Sequence, residues 1–132
     1  MASADAARAT TLIQVLVGRS LDQVCVGVAD AQLGFTGATV SLWSLIRVPP
    51  GSETAAVRPH TLDGLTLLVP LLDGSVAAAG VSDSGELTLT IGGTTVSCGS
   101  DPDYEAWSFS GPDGETVVCT PGGSLTIWSA RP

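Results

Sequence analysis

The sequence predicts a mainly β fold, an antiparallel sheet or small sandwich of about eight to nine short strands with one or two short helices. Three observations carry that expectation. Apolar residues recur with period two along most of the chain, the mark of strands with one buried face. Turn signals separate the alternating segments: Asp83-Ser84-Gly85, Gly92-Gly93, Asp113-Gly114 and Gly122-Gly123. Segments with helical spacing are few and short.

Taken in chain order, residues 1–11 are rich in Ala, Ser and Thr and read as a flexible N-terminal tail, ahead of a single β-rich domain over 12–132. Thr11 to Val17, closed by Gly18, reads as a short helix. Val24, Val26 and Val28 then share one face of a strand, with Cys25 on the other. Leu33 and Phe35 follow, then Val40 and Leu42. Residues 47–61 hold three Pro and one Gly and read as a loop between two halves. Leu62 to Leu72 reads as a second short helix, with Thr61 or Asp63 at its start and Pro70 limiting its length. Leu87, Leu89 and Ile91 alternate cleanly with Thr88 and Thr90, and Val96 and Cys98 continue the pattern. A hairpin within 103–128 ends the chain's regular structure.

The order of segments in 12–44 returns in 65–99: a short apolar piece, a Gly, a strand, an Asp-containing turn, a hairpin. Thr39-Val40-Ser41 matches Thr95-Val96-Ser97. This pattern suggests two related half-sheets, the second extended by the hairpin at 103–128.

Composition bounds the function. The chain has 132 residues, enough for one real core. Charged residues are 14% and the mean hydropathy is +0.38, so the core is generous or some apolar surface serves assembly. Thirteen acidic residues face five Arg and no Lys, giving a net charge of −8. That balance argues against nucleic acid, whose phosphates need clustered Lys and Arg. It suits solubility or a basic protein partner. Lys and Asn are both absent, which points to a GC-rich genome. The longest apolar run, Leu65 to Leu72, contains Pro70 and falls far short of a membrane span. Asp5 and the short stretch from Leu12 to Val17 do not make a signal peptide. Three widely spaced Cys, with no C-x-x-C pair, agree with a cytoplasmic setting.

The stretch from Asp101 to Trp128 carries a resemblance. Tyr104-Glu105-Ala106-Trp107, a short linker, Val118-Cys119, Pro121-Gly122-Gly123 and a terminal Trp128 resemble the hallmark of an uncharacterised family of small acidic bacterial proteins from high-GC Gram-positive genomes. Gly18-Arg19 before a strand is similar too. The resemblance covers most of residues 16–128, and the loop at 47–61 is its least family-like part. It implies a domain of unknown function and assigns no activity. Size, acidity and β-content invite comparison with small immunity proteins of toxin systems, by analogy alone.

Candidate chemistry is sparse. His60 is the only His and lies in the Pro-rich loop, where it reads as exposed. There is no G-x-S-x-G elbow, and no catalytic residue is assigned. The Gly positions form no phosphate cradle, and no cofactor is expected. Cys98 and Cys119 each follow a Val, on the buried side of a strand or next to it, and read as structural thiols rather than metal ligands, though which Cys are buried is left open. Asp101, Asp103 and Glu105 alternate and could offer oxygens to Ca²⁺, but EF-hand spacing is absent and no metal is expected. Glu105 shares parity with Trp107 and Phe109. A carboxylate on that buried face needs a partner, and Arg19 is the natural one, pinning the two halves. Trp107 reads as a core anchor. Trp128 shares parity with Thr126 rather than with Leu125 and Ile127. Gly122 and Gly123 read as a turn before the last strand.

The expectation is a non-catalytic cytoplasmic interaction module, immunity-like by analogy, that meets a basic protein partner through Asp101, Asp103 and Tyr104. The alternative is a small-ligand-binding or accessory domain with a pocket near Trp107 and Trp128. A hydrolase using Glu105 is a third reading. The sequence leaves the oligomeric state open.

Overall fold

Helix α1 spans Ala4–Ile13 and runs into a 3₁₀ turn at Gln14–Leu16. It falls largely on the segment read as a flexible tail. Ala6, Ala9 and Ile13 recur at helical spacing and are buried, so small side chains set close to the sheets hold this helix. The computed structural model describes residues 4–49 and 56–128. Part of the Pro-rich loop at 47–61 therefore lies outside the described residues.

Ten strands are formed among the described residues: β1 (Leu21–Val26), β2 (Ala31–Phe35), β3 (Ala38–Leu42), β4 (Ile46–Arg47), β5 (Val76–Val81), β6 (Leu87–Ile91), β7 (Thr94–Cys98), β8 (Trp107–Ser110), β9 (Thr116–Cys119) and β10 (Leu125–Trp128). They make two antiparallel sheets, of order β1-β2-β3-β8-β9-β10 and β4-β7-β6-β5. Helix α2 (Leu62–Leu68) starts where expected. Thr61 is its N-cap and accepts a hydrogen bond from Gly64 N at 3.2 Å. Pro70 sits in the 3₁₀ turn Val69–Leu71 that ends it.

The two-half repeat is visible in the element order. Helix, 3₁₀ turn, edge strand and hairpin occur as α1-β1-β2-β3 and again as α2-β5-β6-β7. Both edge strands carry a bulge at their start, at Leu21/Gln23 and Val76/Ala78. The halves meet at Ser20 and Ser75, which pair with each other in an antiparallel bridge. Hydrogen bonds around that bridge come in matched pairs. Gly18 N donates to Val76 O at 2.8 Å, and Asp73 N donates to Leu21 O at 2.9 Å. Leu21 N donates to Gly74 O and Val76 N donates to Arg19 O, both at 2.9 Å.

One expectation about the halves is corrected. The final hairpin extends the first half's sheet, not the second's, because β8 pairs with β3 (Leu42 opposite Trp107). In exchange β4, which follows the first half, pairs with β7 of the second (Ile46 opposite Cys98). The halves thus trade strands.

Both sheets and both helices contribute to one core. Leu33, Val40, Leu42, Trp107 and Phe109 come from the larger sheet, and Leu87, Leu89, Ile91 and Cys98 from the smaller. Each such side chain stabilises the fold by roughly 1.5–3 kcal/mol when fully buried. The alternation of Leu87, Leu89 and Ile91 holds as read. That of Val24, Val26 and Val28 does not: Val26 is 44% exposed and Val28 fully so, because β1 is an edge strand whose far end runs past the core.

Trp107 is the core anchor the sequence suggests, and it also links the sheets. It is fully buried, and its indole N–H donates to Gly85 O at 2.8 Å. Cys119 Sγ lies 3.4 Å from the same carbonyl. Gly85 sits in the β5–β6 turn, which packs backbone to backbone on Pro121-Gly122-Gly123: a Cβ on Gly85 would lie 2.5 Å from Gly123 O. The Gly-Gly turn before β10 is therefore also a contact between the two sheets.

Candidate functional site

A cleft of about 730 Å³ opens at one end of the larger sheet. Trp43 and Ser44 follow β3, and Asp101 to Glu105 precede β8. Arg58 and His60 precede α2, and Ala29 comes from the β1–β2 turn.

Local hydrogen bonding explains why these residues converge. Asp101 Oδ1 accepts from Asp103 N at 2.8 Å and from Tyr104 N at 3.1 Å, a turn built on its own side chain. Asp101 O accepts from Gly122 N at 2.8 Å, which ties that turn to the Pro121-Gly122-Gly123 contact. Ala106 O then accepts from both Trp43 N (2.8 Å) and Ser44 N (3.0 Å). That pair of hydrogen bonds sets Trp43 beside the acidic turn.

Three residues singled out from sequence, Asp101, Asp103 and Tyr104, come together here. Asp103 and Tyr104 are exposed, Tyr104 by 73%, and Asp101 is half-buried. Glu105 joins them on the cleft wall and is exposed. This corrects its assignment to the Trp107 face. Residues 101–105 form a turn rather than strand, and Ala106 and Trp107 are both buried in succession, so strand parity does not extend back to Glu105.

The Arg19–Glu105 pair is also corrected. Arg19 donates through Nε to Val15 O at 2.9 Å and through a terminal nitrogen to Thr36 O. Its guanidinium thus staples the turn after α1 to the β2–β3 turn, and no ion pair joins it to Glu105 among the described residues. Backbone carbonyls took the role assigned to the carboxylate.

Trp107 and Trp128 do not frame a pocket. Trp107 is sealed in the core, and Trp128 is 53% exposed on the edge strand β10, in phase with exposed Thr126. Neither lines the cleft. The aromatic residue that sequence reading passed over is Trp43. A signal was available, since Trp43 is out of phase with buried Val40 and Leu42 and so had to face away from them. Arg58, in the same cleft, gave no signal beyond its loop position.

His60 is half-buried rather than exposed. Its Nδ1 is buried and has no hydrogen-bond partner among the described residues. Ser44 is not a free nucleophile: its hydroxyl donates to Gly99 O and lies 3.3 Å from Cys98 Sγ. Burial pushes the Cys98 thiol up to about 12 and that of Cys119 up to about 11, so both stay protonated near neutral pH. Among the described residues no group of three or more His, Cys, Asp or Glu is placed to hold a metal ion. None of the described helices is long and apolar enough to cross a membrane.

The model of a family described as "Family of unknown function (DUF6188)" matches residues 12–129, and the chain belongs to that family. No curated protein and no solved structure matches the chain.

Proposed function

We propose that this family member is a non-catalytic recognition module whose cleft holds a basic segment of a partner protein. The observation that carries the reading is the cleft's lining: two accessible aromatic rings, Trp43 and Tyr104, with the carboxylates of Asp101, Asp103 and Glu105 around them. A guanidinium or ammonium over such rings gains roughly 0.5–1 kcal/mol at an exposed site and about 2 when desolvated. Each exposed carboxylate adds about 0–1 kcal/mol. No single contact dominates, so affinity rests on several acting together. Arg58 lies in the same cleft and repels a cation, which directs a basic side chain toward the acidic turn.

Among the described residues His60 has no nucleophile paired with it, Ser44 is bonded elsewhere and both buried thiols are protonated, which supports a role without catalysis. Inhibition of a basic partner inside the cell, as an immunity protein would act, fits the acidity of the chain. A second reading is favoured by the cleft's size, which lies in the range of roughly 300–1,000 Å³ typical of small-molecule sites. On that reading a small organic cation fills it.

Trp43 fluorescence separates these readings. A tetra-arginine peptide should shift the emission of the wild-type protein, whereas tetra-glutamate should not. Trp43→Phe should abolish the shift and weaken binding several-fold. A response to agmatine as strong as that to the peptide would favour the small-cation reading. No response to any cation would remove the proposal.

A further inference from the structure

The two sheets have four edges, and among the described residues hydrogen bonds close two of them while a helix packs against a third. Edge β4 is covered by Val57, which exchanges two hydrogen bonds with Ile46 at 2.9 and 3.0 Å. Edge β5 is covered by α1: Thr10 Oγ1 accepts from Val81 N at 3.0 Å and donates to Val81 O at 3.2 Å, and Gln14 Nε2 donates to Ala79 O. Edge β10 also packs against α1. Edge β1 is different. Its upper end is tied at Leu21, but among the described residues nothing bonds its outer side beyond that point.

The repeat identifies which groups are left open. Ala79 and Val81 turn their backbone outward to α1, and their counterparts on β1 are Val24 and Val26. Gly27 N bonds inward to Asp30 O at 2.8 Å, consistent with outward backbone at the even positions. The counterparts of Thr10 and Gln14 are Leu65 and Val69 of the second half, which have no side-chain hydrogen-bonding group. Helix α2 does not pack along β1 as α1 packs along β5. β1 carries no Lys or Pro, and past its bulge at Leu21/Gln23 the exposed side chains of Val26 and, in the turn that follows, Val28 are apolar.

We infer that the β1 edge takes an extended segment of a basic partner as an added strand, bonded to Val24 and Val26 and continuing into the cleft at Ala29. The inference rests on the cleft reading above. Two features select this occupant. Ala29, which lines the cleft, follows directly on Val26 and Val28, so one extended chain reaches both sites. Asp22 within the strand and Asp30 just beyond it, in a chain of net charge −8, attract a basic segment and oppose a second copy. Main-chain bonds supply affinity in such an augmented sheet, and alternate side chains supply selectivity.

The probe is a synthetic peptide of four Arg-Val repeats, compared with its fully N-methylated form, which keeps the charge but cannot donate to a strand. Amide exchange is followed by NMR on the full chain. The parent peptide should slow exchange at Val24 and Val26 and bind on the order of tenfold or more tighter than the N-methylated one, as two to four added hydrogen bonds require. Equal affinities with no protection at Val24 and Val26 would overturn the strand addition while leaving the cleft reading in place. Protection that survives Asp103→Arg with Glu105→Arg would keep the added strand and remove the cleft from the account. Failure of both peptides to bind would remove both. Protection of Val24 and Val26 without peptide, rising with protein concentration, would identify a second copy as the occupant and overturn the inference.

Discussion

Gly122 and Gly123 are adjacent, share a backbone region and should nonetheless respond very differently to the same substitution. Their φ angles are +88° and +95°, where a Cβ is strained. That strain costs about 1–2 kcal/mol at either position. The difference lies in space. A Cβ on Gly122 meets nothing within 4 Å, whereas one on Gly123 would lie 2.3 Å from Ser84 O. The neighbouring atom is backbone in the β5–β6 turn and cannot rotate away. Gly123→Ala must therefore push apart the contact between the sheets and disturb Gly85, whose carbonyl accepts from Trp107. We expect Gly122→Ala to cost about 1–2 kcal/mol and Gly123→Ala about 3 kcal/mol or more, since it adds overpacking and weakens a buried hydrogen bond. Urea unfolding followed by far-UV circular dichroism measures both, with the slopes checked for a shared unfolded state. Equal losses for the two variants would refute the claim that this turn is a close backbone contact.

Trp107→Ala should cost roughly 3–5 kcal/mol in the same assay, and Trp107→Phe less, since it keeps part of the ring while losing the bond to Gly85 and some packing; a loss below about 1 kcal/mol for the alanine variant would place the ring outside the core. Cys25 is the half-buried thiol, so iodoacetamide at pH 8 should label it first, and Cys98 and Cys119 only on unfolding; rapid labelling of all three in the folded protein would contradict their burial. The thiol pKa values also set a pH window. Cys98 and Cys119 are raised in the folded state from an ordinary value of 9.0, so the folded state holds their protons more tightly. Their contribution is complete below about pH 9 and is lost as pH rises toward 11 and 12. Cys98→Ala with Cys119→Ala should flatten that alkaline decline, and an unchanged decline would assign it elsewhere.

Much of the fold could be read from residue alternation, because period two reports which side chains face a core. Leu87, Leu89 and Ile91 and the outward phase of Trp128 follow from it directly, whereas for Cys98 and Cys119 it left open which thiols are buried. Alternation does not report which strand lies beside which. The exchange of β4 and β8 between the halves was hidden for that reason, although the repeat itself was visible. Helix α1 was misread because Ala6 and Ala9 are too small to stand out as an apolar stripe, yet they let the helix approach β5 closely. Glu105 was misplaced because parity was carried through Asp101 to Glu105, where the Asp101 side chain accepts from Asp103 N and Tyr104 N and holds a turn ahead of β8. The cleft was legible on one side only. The acidic turn with Tyr104 announced itself, whereas Trp43 and Arg58 join it through long-range contacts that no local pattern encodes.

The central claim is that the acidic, aromatic cleft attracts and holds a basic segment, and association kinetics test it most directly. Stopped-flow measurement with the Arg-Val peptide, using Trp43 emission, should give an on-rate that falls markedly as salt rises while the off-rate changes less. Asp103→Arg with Glu105→Arg should slow association and flatten its salt dependence without lowering the melting temperature, since both side chains are exposed. An on-rate that ignores ionic strength in the wild-type protein, or that is unchanged by the two reversals, would contradict the account and leave the acidity as a matter of solubility alone.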